Sequence, residues 1–366
     1  MGFRCGIVGL PNVGKSTLFN ALTSTAGAAA GNYPFCTIEP NVARVPVPDD
    51  RLDALARVAR SAKVVATQIE FVDIAGLVRG ASQGEGLGNK FLGHVREVDA
   101  LVHVVRCYES GDVTHVEGSV DPLRDIETID TELMLADLET LERRSESLAK
   151  RARIGDPEAK REWPLVGRVL ETLRAGNPAR HVTPGKDDVA LYRSLKLLTA
   201  KPVMYICNVD EESAADGNAH AQAVIDHAQG EGAEAVVIAA EIEAQLAVMD
   251  DTEARADYLD MLGLDMPGLH RVIKAGYSLL SLITFLTASE KEARAWTVTE
   301  GASAVEAAGS IHTDFAKGFI RAEVITYDVY IELGGEQATK DAGKMRLEGC
   351  DYRVCDGDVM LFRFNV

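Results

Sequence analysis

Apolar and polar positions change rhythm several times along this chain. Arg4-Cys5-Gly6-Ile7-Val8 is an apolar run of the length of a buried strand, and Thr17-Leu18-Phe19-Asn20-Ala21-Leu22 continues as a helix. The runs 68–72 and 201–208 carry the strand pattern again. Within residues 132–153, Met134, Leu138, Leu141, Ser145, Leu148 and Ala152 recur every three or four positions among charges, which predicts an amphipathic helix. Gly155-Asp156-Pro157 breaks it, and Trp163, Val166, Leu170 and Leu173 mark a second helix. Two such helices across a short turn predict an antiparallel coiled-coil hairpin, inserted at about residues 122–200. From Leu282 the spacing shortens to alternating runs at 283–286, 294–298, 324–327 and 359–364, with a short helix at 302–308. That alternation predicts a small β-grasp domain over 282–366, following an α/β domain over 1–281.

Composition narrows the class. With 366 residues, 46% of them apolar, the chain is long enough for two or three domains with cores of their own. No apolar run reaches the 18 or so residues of a membrane span, and Met1-Gly2-Phe3-Arg4-Cys5 leads directly into a strand without the apolar stretch of a signal peptide. Residue 6 is Gly where an N-myristoylation motif wants Ser or Thr. A soluble, cytoplasmic protein with no membrane partner is the expectation. The six cysteines at 5, 36, 107, 207, 350 and 355 form neither a Cys-x-x-Cys pair nor a disulfide framework, so reduced thiols are expected. A net charge of −18 opposes free binding to nucleic acid, and no sequence-specific DNA partner is expected. A local basic patch would still permit docking on RNA, and Lys317, Arg321, Lys340, Lys344, Arg346 and Arg353 are candidates for one, with scattered surface charge as the equal alternative.

The chemistry begins at Gly9-Leu10-Pro11-Asn12-Val13-Gly14-Lys15-Ser16, which fits G-x-x-x-x-G-K-S between a strand and a helix. Glycines let the backbone N–H groups turn toward phosphates, and the helix N-terminus adds partial positive charge. Lys15 reaches the β- and γ-phosphates and the Ser16 hydroxyl ligates Mg²⁺. Thr37, in a loop about 20 residues on, stands where a switch enzyme completes the Mg²⁺ shell and senses the γ-phosphate. Residues 68–77 end in Asp73-Ile74-Ala75-Gly76-Leu77: Asp73 would hold Mg²⁺ through water and the Gly76 N–H would meet the γ-phosphate. Leu77 occupies the position of the water-orienting Gln of Ras-like enzymes. An apolar side chain cannot polarise water, so turnover must draw on other groups. Asn12 seating a monovalent cation is one source. His115 is another, set against an ordinary solvated loop histidine. His94 and His103 are expected to pack on helix and strand.

The base site is altered. Where GTPases carry Asn-Lys-x-Asp, this chain has Asn208-Val209-Asp210-Glu211. Asn208 reads the purine, but the stacking Lys is Val209 and the carboxylate sits on the longer Glu211. Guanine selectivity is weakened, which by itself does not choose ATP. A fifth station falls at Val237-Ile238-Ala239-Ala240-Glu241, whose backbone would pack on the base.

These motifs, together with Phe35-Cys36-Thr37-Ile38-Glu39-Pro40-Asn41, Gly84-Glu85-Gly86-Leu87-Gly88-Asn89-Lys90-Phe91-Leu92 and the run 312–322, resemble the YchF or Obg-like ATPase family over essentially the whole chain. The resemblance implies a Ras-like P-loop NTPase with an Obg-type G domain, the inserted hairpin and a C-terminal TGS domain. It implies a slow, Mg²⁺-dependent ATPase, accelerated by K⁺, that associates with ribosomes and prefers ATP to GTP. Carried over by position, it places phosphate binding on Asn12, Val13, Gly14, Lys15, Ser16 and Thr17. Mg²⁺ falls on Ser16 and Thr37, and base contacts on Asn208 and the Val209 backbone, with Tyr108 against the ring. Leu77 matches the family's apolar replacement of Gln. A GTPase of the same fold and a nucleotide-sensing scaffold are the competing readings. Cys36, beside Thr37, is either a redox-sensitive thiol or a small buried filler.

Overall fold

The computed structural model describes residues 3–30, 41–74, 87–110, 118–249 and 251–365. Thr37, Gly76, Leu77, His115 and Cys36 lie outside them. The chain divides into two compact units, Met1–Arg44 with Glu70–Val272, and Val45–Ile69 with Ile273–Val366.

The first unit is built on a sheet in which β1 (Arg4–Val8), β4 (Gln68–Asp73), β5 (Ala100–Arg106), β6 (Val203–Asn208) and β7 (Glu234–Ile238) join β2 (Val42–Pro46) in the order β2-β4-β1-β5-β6-β7. Strands β4, β1, β5, β6 and β7 pair in parallel. Buried on both faces, they read as continuous apolar runs: every residue of β5 and β6 is buried. β1 lies between β4 and β5, so the chain leaving β1 enters the crevice where the strand order reverses, the position at which open α/β sheets bind ligands.

The predicted hairpin is present, with the first helix longer than its sequence pattern. Helix Pro122–Arg153 starts ten residues before the predicted start at 132, capped by Asp121, whose carboxylate accepts from Arg124 N–H, with Pro122 in the first turn. Its first half buries Asp125, Glu132 and Asp137 beside Ile126, Ile129 and Leu133, and those acids blur the apolar stripe. Asp137 accepts from Leu198 N–H and Thr199 N–H at 2.9 Å and from Thr199 Oγ1 at 2.7 Å, which fastens the chain returning from the insertion. The second helix, Pro157–Arg174, is capped by Asp156. Between them Gly155 takes φ +98°, a left-handed turn that favours glycine. Leu141, Leu148, Ala152, Ala159, Val166, Val169, Leu170 and Leu173 close a core belonging to the hairpin itself.

In the second unit β3 (Val64–Val65), β8 (Leu282–Ala288), β9 (Ala293–Thr299), β10 (Phe319–Thr326), β11 (Arg346–Glu348) and β12 (Asp358–Phe364) form a sheet of order β11-β10-β12-β8-β9-β3. β8 and β9 are an antiparallel hairpin, β12 runs parallel to β8, and β10 pairs antiparallel with β12, which is the β-grasp arrangement. Period-two alternation sends Phe285, Val298, Val324, Met360 and Phe362 to one face against Ala304, Ala307 and Ala308 of helix Ala304–Ile311. Leu286, Ala295, Ile325 and Val359 face the other way, onto Leu52, Leu55 and Ala56 of helix Asp50–Ala59 and Tyr330 of helix Tyr327–Leu333. This second core groups residues 45–69 with the β-grasp sheet, and Tyr277, whose hydroxyl meets the Ile283 carbonyl and the Thr284 and Thr297 hydroxyls, brings 273–281 with it. The run 324–327 is strand only to Thr326, and Tyr327 opens a helix.

Candidate functional site

The chain after β1 is shaped by close approach. A Cβ on Gly9 would lie 2.7 Å from the Val104 carbonyl oxygen, so the loop passes against β5 only as glycine. Asn12 takes φ +63° and Gly14 φ +91°, which curl the backbone before helix Lys15–Ala30 begins. The helix's first intrahelical bond runs from Leu18 N–H to the Gly14 carbonyl at 3.0 Å. The N–H groups of Lys15, Ser16 and Thr17 therefore precede the hydrogen-bond ladder, and no acid in the first turn competes with an incoming anion.

Lys15 is ion-paired with the Asp73 carboxylate, both side chains largely buried. Asp73 ends β4 in register with Ile7, and its N–H donates to the Asn41 carbonyl at 2.9 Å. The P-loop lysine and the carboxylate of the Asp-x-x-Gly motif, 58 residues apart, thus meet at one point at the end of the sheet. Ser16 is exposed one residue further along the helix. Among the described residues no group of three His, Cys, Asp or Glu side chains could hold a metal. A cation here would rest on the Ser16 hydroxyl, the Asp73 carboxylate, water and phosphate oxygens. That hard-oxygen set fits Mg²⁺, which keeps several waters when bound.

Asn208, the last residue of β6, is buried, and both ends of its side-chain amide are engaged. Nδ2 donates to the Val13 carbonyl at 3.0 Å, and Oδ1 accepts from Ala240 N–H at 2.9 Å. The residue expected to read the purine therefore also ties the phosphate loop to the start of helix Ala240–Ala247. Val209 is buried, its N–H donating to the Ile238 carbonyl at 2.8 Å, so its side chain offers little face to a base. Glu211 is exposed on the following turn. Of the fifth station, Ala239 and Ala240 are buried beside Asn208.

The end of β5 contributes residues that the sequence reading passed over. Arg106 is 1% exposed, and its Nε donates to the Tyr108 carbonyl at 3.0 Å. Its guanidinium lies 4.6 Å from the centroid of the half-buried Tyr108 ring, a cation–π contact. Asn218 Nδ2 donates to the Cys107 carbonyl at 2.6 Å, while its Oδ1 caps helix Ala219–Glu231. Cys107 N–H donates to the Asn208 carbonyl at 2.8 Å, which places Tyr108 beside the altered base loop. The available signal was an arginine closing the apolar run Ala100-Leu101-Val102-His103-Val104-Val105-Arg106: a guanidinium there must be paired to be buried. His103 packs inside, its pKa pushed down to about 3 by burial and then by the charges of Arg180 and His227.

Residues 4–141 match the family described as 50S ribosome-binding GTPase, and residues 282–365 match the C-terminal domain family of the YchF GTPases, described as a protein of unknown function. The Ribosome-binding ATPase YchF of Haemophilus ducreyi is 57% identical over 366 residues, and that of Bacillus subtilis 50% identical over 368, each covering the whole of both chains. The solved structure of the Schizosaccharomyces pombe YchF GTPase aligns with a TM-score of 0.90 at 36% identity, covering 99% of this chain and 98% of that one. Identity of this extent over both full lengths leaves one assignment: the chain belongs to the YchF family.

Proposed function

We propose that this chain is a slow, Mg²⁺-dependent ATP hydrolase that works as a nucleotide-controlled switch on the ribosome, in the cytoplasm, and binds ATP in preference to GTP. The observation that carries the reading is the convergence of Lys15, Asp73 and Asn208 on one phosphate loop. Its ribosomal part rests on relatives that bear the name Ribosome-binding ATPase. The G domain comprises residues 1–281 with the hairpin inserted, and 282–366 is the TGS domain.

In this mechanism Lys15 exchanges Asp73 for the β- and γ-phosphate oxygens, and the Ser16 hydroxyl, with the freed Asp73 carboxylate through water, would hold Mg²⁺. The N–H groups from Val13 to Thr17 wrap the phosphates. When bound, Mg²⁺ neutralises charge on the phosphate oxygens. Thr37 and the Gly76 N–H are the proposed partners of the γ-phosphate, and both lie outside the described residues. Nothing at position 77 orients water, so turnover is slow and depends on electrostatic help. Asn12 would seat a K⁺ ion able to supply part of it, and His115 is the candidate side chain for the rest. At the base, Glu211 cannot repeat the short carboxylate grip on guanine, and the Tyr108 ring gives adenine a flat neighbour.

A GTPase of the same fold is the second reading, favoured by the description of the family matched over residues 4–141. Titrating ATP and GTP side by side, with Mg²⁺ and with K⁺ or Na⁺, separates them: ATP binds tighter if the first holds, and much tighter GTP reverses it. Lys15→Ala should abolish turnover, and full activity in that variant would remove the site assignment.

A further inference from the structure

The end of the helical hairpin carries a charge balance opposite to that of the chain. Over residues 143–168 eight Lys and Arg stand against four Asp and Glu, in a protein of net charge −18. Ion pairs take up part of this excess: Arg144 with Glu162, Arg151 with Asp156 at 2.7 Å, and Arg161 and Arg168 with Asp188 at 3.9 and 3.7 Å. Lys150, Arg153 and Lys160, around the turn that joins the two helices, are exposed and have no ion-pair partner among the described residues. Ile154, at the same turn, is 86% exposed.

The ordinary structural account covers only some of these charges. Cations in the last turn of helix Pro122–Arg153 offset the negative end of its macrodipole, which explains Lys150 and Arg153. Lys160 stands near the start of helix Pro157–Arg174, where the macrodipole disfavours a cation. Nor does the C-terminal region compete as a cationic surface. Over 282–366 nine Lys and Arg face fourteen Asp and Glu, and Arg321, Arg346 and Arg363 are each paired with carboxylates. Distance completes the argument. A helix of 32 residues is about 48 Å long, several times the roughly 8 Å screening length at physiological salt. The end of the hairpin is therefore screened from acids near the root of its first helix and can meet a polyanion that the chain as a whole would repel.

We propose that the end of the hairpin, with Lys150, Arg153 and Lys160 around Ile154, docks on the phosphate backbone of ribosomal RNA. This rests on the reading of the protein as a ribosome-associated switch and names the surface that makes the contact. The hairpin's own core and its capped turn hold the cations in place before binding, and each phosphate contact releases a counterion.

The test uses the full chain carrying K150Q, R153Q and K160Q together. All three positions are exposed, so folding should be undisturbed, as an unchanged melting temperature and ATP turnover would show. Binding is measured to purified ribosomes and to deproteinised ribosomal RNA across a salt series. The expected result is affinity for both lowered about tenfold or more at low salt, with the slope of log K against log salt shallower by about two to three. Unchanged affinity and slope on both overturn the proposal. Lower ribosome affinity with RNA binding and slope unaltered also overturns it, since the hairpin would then meet a protein. If the wild type binds RNA through these cations but not intact ribosomes, the ribosome reading fails while the RNA contact stands; if it binds neither, both fail.

Discussion

The side-chain amide of Asn208 donates to the Val13 carbonyl at 3.0 Å, so the strand that leads to the Asn208–Glu211 loop also holds the P-loop. The same amide accepts from Ala240 N–H, and the whole side chain is buried. Removing it strands a carbonyl and an N–H away from water, at about 1–3 kcal/mol for each group left unsatisfied. Asn208→Ala should therefore weaken inorganic tripolyphosphate together with ATP and GTP, each by about tenfold or more. Isothermal titration with the three ligands decides the matter. If only the nucleotides lose affinity, Asn208 is a base reader and its tie to Val13 has no weight in phosphate binding.

Gly14 faces Asn208 across that contact. A Cβ built on it would lie 2.1 Å from Asn208 Nδ2, and its φ of +91° is unfavourable for any L side chain. Gly14→Ala must both strain the loop, at about 1–3 kcal/mol, and push the amide off Val13. Nucleotide binding should disappear and the melting temperature should fall. A variant that still binds ATP within a factor of two would mean the loop has another conformation open to it.

How far the sequence revealed this site depends on how local each signal is. The phosphate loop declares itself in eight consecutive residues because the strand, curl and helix N-terminus it needs are adjacent in the chain. The pairing of Lys15 with Asp73 was implicit in two separate motifs, whereas the roles of Arg106 and Asn218 were not, since each acts through a backbone carbonyl that no residue pattern marks. The same limit governs the fold. The alternation of β8, β9, β10 and β12 showed the β-grasp sheet, but helix Asp50–Ala59 finds its partners at Leu286, Ile325 and Val359, more than 220 residues away. Its amphipathic pattern says that one face is buried and is silent on what buries it.

Arg106 yields a prediction about the base. A guanidinium this deeply buried, bonded to the Tyr108 carbonyl and stacked on its ring, fixes where that ring stands. Arg106→Lys keeps charge and approximate length but loses the planar stack. If Tyr108 is the flat neighbour of adenine, Arg106→Lys and Tyr108→Ala should each weaken ATP about five- to tenfold, while tripolyphosphate affinity stays within a factor of two. Their effects should not add in the double variant, because one acts through the other. Additive losses, or equal losses for tripolyphosphate, would place Arg106 in the support of the whole loop instead.

His103 predicts how stability depends on acidity. Burial, reinforced by Arg180 and His227, holds its pKa at about 3 against an ordinary value near 6.5, and its ring packs 5.7 Å from that of Tyr205. Between these values the unfolded chain binds a proton that the folded chain refuses. Stability therefore falls as pH drops from about 6.5 toward 3, and the penalty reaches about 2 kcal/mol at pH 5. His103→Phe removes the titrating group while keeping a ring of similar size. Its melting temperature should decline less than that of the wild type between pH 7 and pH 5, whatever its starting value, because only the slope reports the proton. Parallel curves for the two proteins would show that acid sensitivity in this range comes from other groups and that the histidine between Tyr205 and Arg180 is a packing residue alone.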